Sequence, residues 1–168
     1  MSLRSRLLVG IVLLMASGCA GAQRASSADD EALARVASIH GGAGPWAVAG
    51  YRMGAHALRQ LGLPVGSFDL EVVHHSPAKV QYTCVADGAA AATGASLGKL
   101  NLSLASTASA DEVFTTFRNR ATGKTITLKP TAAFAARYLN VPRKQLGTAG
   151  RDVMTLTDAE VFEVVAVP

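Results

Sequence analysis

At 168 residues, 49% of them hydrophobic and 17% charged, the chain carries enough apolar material for one core of ordinary size. Lys and Arg number 16 against 12 Asp and Glu, and setting aside Arg4 and Arg6 at the very start leaves 14 against 12. So slight an excess, with nine aromatic residues (one Trp, three Tyr, five Phe) and no basic run interleaved with them, excludes nucleic acid as a partner.

The chain opens with Arg4 and Arg6, an apolar run from Leu7 to Ala16 and the small residues Ser17, Gly18 and Cys19. This is the layout of an export signal over residues 1–18, and the apolar run is short of the ~20 residues a spanning helix needs. The ASGC ending resembles the lipobox of bacterial lipoproteins, in which the cysteine is lipidated and becomes the mature N-terminus. Ala16 stands where that motif usually has leucine, so an unlipidated secreted form is the alternative. Ala20 rather than aspartate after Cys19 is similar to the pattern sorted onward to an outer membrane. The implied location is the bacterial cell envelope, facing the periplasm, with membrane lipid as a partner through Cys19.

Residues 19–30, including QRASSADD, read as a polar tether, and the globular part is expected over residues 31–168 with a first helix through Ile39. The stretch HGGAGPWAVAGYRMGAHALRQLG, His40 to Gly62, organises the rest of the chain. Ala47, Tyr51, Gly54, Leu58 and Leu61 recur at helical spacing, and Arg52, His56, Arg59 and Gln60 fall on the opposite stripe. Pro45 suits the first turn, Gly62 the left-handed stop, and Pro64 prevents continuation. Gly50 and Gly54 suit close approach of another element. The glycine turn at Gly41 and Gly42, beside His40 and a helix N-terminus, can hold an anion, a metal-bound group or a small polar ligand, or can simply turn the chain.

Ser67 to His75 alternates as a strand, so His74 and His75 point to opposite faces and cannot ligate one metal. Lys79 to Val85 is expected to be a second strand, with Val80, Tyr82 and Cys84 on one face. Cys84, unpaired once Cys19 is lipidated, is by default an inert packed thiol. Asp87 reads as the N-cap of an alanine-rich helix, Ala89 to Ala92. In TGASLGKLNL, Thr93 to Leu102, the glycines are one residue too close for a phosphate loop, and Leu100 stands where a magnesium-binding hydroxyl belongs. Nucleotide hydrolysis is excluded, and Lys99 is left to neutralise an anionic group.

Together, HGGAGPWAVAGYRMGAHALRQLG and CVADGAAAATGASLGKLNL resemble the E-subunit family of formylmethanofuran dehydrogenase, whose pattern is close to HGHxCPG…GYRMG followed by C…DxxQ…TGCTxGKxN. His40, Gly41, Pro45, Gly50, Tyr51, Arg52, Cys84, Asp87, Thr93, Gly94, Gly98, Lys99 and Asn101 are retained. The resemblance covers about Ile39 to Leu102 and implies an α+β core. Gly42, Gly44 and Ala95 replace a histidine and two cysteines of the pattern, which removes good ligands for a tight transition-metal site. His40 and Cys84 are the metal candidates left, with Asp87 beside them.

The C-terminal third is expected to complete the fold: a hairpin of residues 113–118 and 125–128, a helix from Thr131 to Leu139, another from Pro142 ending near Gly147 or Gly150, a helical turn near Thr157 and a strand over 161–167. The expected fold is a single α+β domain, a mixed or antiparallel sheet with the His40–Gly62 helix packed on it. The expected function is a lipid-anchored extracytoplasmic binding protein for a small anion, metal or metal-bound ligand, its site built from His40, Gly41, Gly42, Cys84, Asp87, Thr93 and Lys99. The alternatives are a thiol enzyme, with Cys84 as nucleophile, His40 as base and Asp87 orienting it, and a non-binding homologue that dimerises.

Overall fold

The computed structural model describes the backbone of residues 17–166 and side chains from residue 27 onward. Most of the expected export signal and the Cys19 side chain lie outside what is described. Helix α1, Ser17–His40, begins well before the expected start near Asp30 and includes the residues read as a tether. Recurrent alanines favour that helix, and among its described side chains Ala32, Leu33 and Val36 are buried.

Helix α2, Pro45–Leu61, has the expected bounds, with Gly62 left-handed at φ 65°. There Leu63 N–H reaches back to Leu58 O at 3.1 Å, which satisfies a carbonyl the helix end would otherwise orphan. Strand β1, Leu70–Ser76, comes next, with alternating burial. His74 points inward and is fully buried, whereas His75 stacks on Phe114 at 4.1 Å on the other face.

The expected strand over Lys79–Val85 is instead the start of helix α3, Val80–Thr93. Nearly every α3 residue from Tyr82 to Thr93 is buried, so the segment shows no polar stripe and its first residues imitate a two-residue period. What decides for helix is packing against α2. A Cβ on Gly50 would sit 2.0 Å from Val85 O, and one on Gly88 would sit 1.8 Å from Ala47 O. The two backbones touch there, which only glycine permits. Asp87 is therefore in the middle of α3, not at its N-cap, which is Lys79.

A short 3-10 turn, Leu97–Lys99, leads to the edge strand β2, Leu102–Ser106, which the sequence pattern did not disclose. β2 pairs parallel with β1, with α3 as the crossover that a parallel pair requires. The hairpin β3, Phe114–Asn119, and β4, Thr125–Pro130, forms as expected, as does helix α4, Ala132–Tyr138. Helix α5, Leu146–Thr155, outruns its expected end because Gly150 is a contact rather than a stop: its Cβ would lie 1.8 Å from Ala43 O. Helix α6, Asp158–Val161, and strand β5, Phe162–Val165, close the fold. The sheet order is β2-β1-β3-β4-β5, parallel at β1/β2 and antiparallel elsewhere, so the α+β expectation with a mixed sheet holds.

Helices α2, α3 and α5 start at the same end of the domain, where Pro45, Val80 and Leu146 line one cleft. At the opposite end, Gly66 N–H bonds Thr93 O at 2.8 Å and ties the chain beyond α2 to the end of α3.

Candidate functional site

The cleft at the three helix starts has a volume of about 220 Å³. Its walls are mostly apolar, from Trp46, Val80, Leu139, Val141 and Leu146, with His40, Gln81, Cys84 and Tyr138 as the residues carrying polar groups. Trp46 is held by its indole N–H on Tyr138 O at 3.0 Å and by edge contacts to Tyr82 and Phe134.

His40 is the last residue of α1, and Gly41, at φ 83°, turns the chain away with its N–H on Ala37 O. That places the imidazole beside α3, where Nδ1 lies 2.8 Å from Asp87 Oδ2. An ionised carboxylate only accepts, so Nδ1 carries the proton and Nε2 of the neutral ring keeps its lone pair. Asp87 thus orients His40 and sets its tautomer, an arrangement suited to binding a hydrogen-bond donor or to general-base work.

Cys84 lines the same cleft but makes no bond to His40; its thiol donates to Gln81 O at 3.1 Å, one turn earlier in α3. Burial, with the Asp87 charge adding to it, pushes the thiol up to about 12. The thiol is protonated at neutral pH, and neither a nucleophile nor a good metal ligand is available in that form.

The structure therefore brings together His40, Asp87 and Cys84 and separates the rest of the expected set. Gly41 and Gly42 adjoin His40 without lining the cleft, whereas Gly44 and Pro45 do line it. Thr93 lies nine residues beyond Cys84 in α3, about 14 Å along the axis. Its hydroxyl bonds Ala89 O at 2.7 Å and accepts from Ala95 N–H at 3.1 Å. Lys99 is also at that far end, with Nζ on Gly66 O at 3.0 Å and Gly94 O at 2.9 Å, above the Phe68 ring. It neutralises loop and helix-end carbonyls, not a ligand in the cleft.

The donor set does not fit a tight transition-metal centre. Among the described residues no group of three or more His, Cys, Asp or Glu side chains is placed to hold an ion. Of the candidates, Cys84 is a protonated thiol, and Asp87 is already spent on His40 Nδ1.

Sequence reasoning missed Gln81, Tyr138, Leu139, Val141 and Leu146. Gln81 sits one turn before Cys84 only if the segment is read as a helix, and the last four come from distant chain. Trp46 was missed too, although its place as the sole tryptophan, inside the His40–Gly62 stretch, could have marked it. Also missed was the role of Arg52, whose guanidinium donates to Val153 O at 2.7 Å, Leu156 O at 2.6 Å and Asp158 Oδ1 at 2.6 Å. His56 Nδ1 meets the same carboxylate at 3.1 Å. Burial alone would raise Asp158, but the hydrogen bonds from Arg52 and His56 outweigh it and hold the carboxyl below its usual range. Arg52 and His56, on the stripe opposite the apolar face of α2, thus clamp the end of α5, while Arg59 and Gln60 on the same stripe are exposed.

Residues 39–163 match the family model described as FmdE, Molybdenum formylmethanofuran dehydrogenase operon. No curated protein matches the chain.

Proposed function

The chain belongs to the FmdE family, and we propose that this member is an exported binding protein, lipid-anchored through Cys19 in the bacterial cell envelope, that holds a small ligand in the cleft beside His40. The observation that carries the binding part is the His40–Asp87 pair, fixed at 2.8 Å on a preformed cleft with apolar walls. Small-ligand sites have this composition, a mostly apolar lining with a few oriented polar groups, and a volume under their usual ~300–1,000 Å³ suits a ligand of one ring. The thiol-enzyme alternative is weaker, because a thiol at about 12 is thiolate only about once in 10⁵ molecules at neutral pH. An anion finds no Lys or Arg side chain in the cleft, and Lys99 is committed at the other end of the domain.

Trp46 is the only tryptophan, so its fluorescence reads the cleft directly. Benzamide, benzoate and benzylammonium should be titrated into the domain at millimolar concentration. Saturable quenching by at least one of them, abolished when Leu146→Phe narrows the cleft without adding a second tryptophan, supports the reading; the absence of any saturable response overturns it. Elemental analysis after exposure to zinc, nickel and copper runs beside it, with Cys84→Ala as the control. Near-stoichiometric metal that disappears in that variant would replace the reading with a metal site. For the anchor, detergent phase partition of the full chain is the measurement: loss of the detergent-phase pool in Cys19→Ser supports lipidation, and an aqueous wild type sinks it.

A further inference from the structure

The side chains around the cleft have spent their donors inside the protein. Trp46 Nε1–H is on Tyr138 O, His40 Nδ1–H is on Asp87, and the Cys84 thiol is on Gln81 O. Tyr138 turns its hydroxyl away onto Asp152 Oδ2 at 2.5 Å. The Gln81 amide nitrogen donates to Leu139 O at 2.6 Å; turning the amide over would set oxygen against oxygen, so its Oε1 is the end left over. What the side chains offer a ligand are acceptors: His40 Nε2, Gln81 Oε1 and, more weakly, Cys84 Sγ.

The backbone offers the complementary groups. Gly44 supplies no side-chain cap to α2 and Lys79 none to α3. Pro45 carries no N–H and Tyr82 N–H is taken by Lys79 O at 2.9 Å, so the groups without an intrahelical acceptor are the N–H of Trp46 and Ala47 in α2 and of Val80 and Gln81 in α3. An ammonium would meet the positive ends of helices that start at the cleft. A carboxylate would be drawn to those ends but finds no Lys or Arg among the lining residues, and the Asp87 carboxylate stands directly behind His40.

Resting on the cleft reading above, we infer that the ligand is a neutral molecule with paired N–H donors and a carbonyl, a primary carboxamide or heteroaromatic amide, whose N–H groups meet His40 Nε2 and Gln81 Oε1. Its ring lies between the apolar walls and its carbonyl accepts from the helix N-termini. A site built from acceptors rejects an analogue that lacks the donors, because its own buried groups are then left unpaired.

The test compares benzamide, N,N-dimethylbenzamide, benzoate and benzylammonium at pH 7.5 by Trp46 fluorescence. Benzamide is expected to bind at least tenfold more tightly than the other three, and Gln81→Met to lose at least tenfold for benzamide alone. Should benzoate, benzylammonium or the dimethyl amide bind as tightly as benzamide, the cleft remains a binding site and the donor inference is wrong. Should none bind, both readings fall. The dimethyl amide keeps the test decisive if Gln81→Met does not fold.

Discussion

His74 is fully buried in β1 with both ring nitrogens engaged: Nε2–H donates to Tyr82 O at 3.1 Å and Nδ1 accepts from the Thr115 hydroxyl at 2.8 Å. Burial, with a smaller contribution from neighbouring His75, lowers it from an ordinary 6.5 to about 4, although the bond to Tyr82 works the other way. Between those values the unfolded chain binds a proton that the folded chain refuses. Stability therefore rises with pH across the window and is lost as pH falls from 6.5 toward 4. At ~1.4 kcal/mol per pH unit, the loss attributable to this one group is about 2 kcal/mol on going from pH 7 to 5 and about 3 kcal/mol by pH 4. For a domain of this size, 2 kcal/mol corresponds to roughly 5–8 °C in Tm. The assay is thermal unfolding by circular dichroism at both pH values, for wild type and for His74→Gln, which keeps a donor and an acceptor but does not titrate. Other groups titrate alike in both proteins, so the difference of differences isolates His74. Equal losses in the two proteins between pH 7 and 5 would refute the reasoning.

Three further outcomes rest on the packing. Gly88→Ala, whose Cβ would meet Ala47 O at 1.8 Å, should cost about 3 kcal/mol or more, whereas Gly42→Ala, with nothing within 4 Å, should fall within about 0.5 kcal/mol; urea unfolding of the pair checks the contrast. Cys84 should react with iodoacetamide at pH 8 about 1,000-fold more slowly than an unstructured cysteine, since its thiol is raised from 9.0 to about 12. Alkylation timed by mass spectrometry decides this, and a rate within tenfold of the free thiol would contradict the burial argument. The same raised thiol makes stability fall as pH climbs from 9 toward 12. Arg52→Met should destabilise by about 2–4 kcal/mol, because two carbonyls of the α5 end lose their donor along with the Asp158 pair. Asp158→Asn should cost less, since Arg52 keeps both carbonyl bonds, and the reverse order in urea would count against the clamp.

The local sequence was sufficient wherever one element carries its own stop signals or its own period. α2 announces itself by Pro45, the apolar stripe and the Gly62–Pro64 stop, and β1 by its alternation, which also places His74 and His75 on opposite faces. The family was legible for a similar reason: two glycine-bearing motifs retain enough positions to be recognised even with Gly42, Gly44 and Ala95 where ligands stand in the pattern. His40, Cys84 and Asp87 were likewise legible as one end of a site.

Tertiary structure alone decided the rest. α3 is buried against α1, α2 and the sheet, so it shows no polar face by which a period could be read, and its helical state is settled by backbone contact at Gly50 and Gly88. Once that segment is a helix, Cys84 in its first half and Asp87 at its middle stay beside His40, while Thr93 and Lys99 are carried to its far end, which splits the expected site. Whether Lys99 faces a ligand or its own loop carbonyls, and whether Gln81 offers its nitrogen or its oxygen, depends on partners distant in sequence. Such pairings leave no local trace, because they arise where three helices that begin far apart in the chain start at one end of the domain.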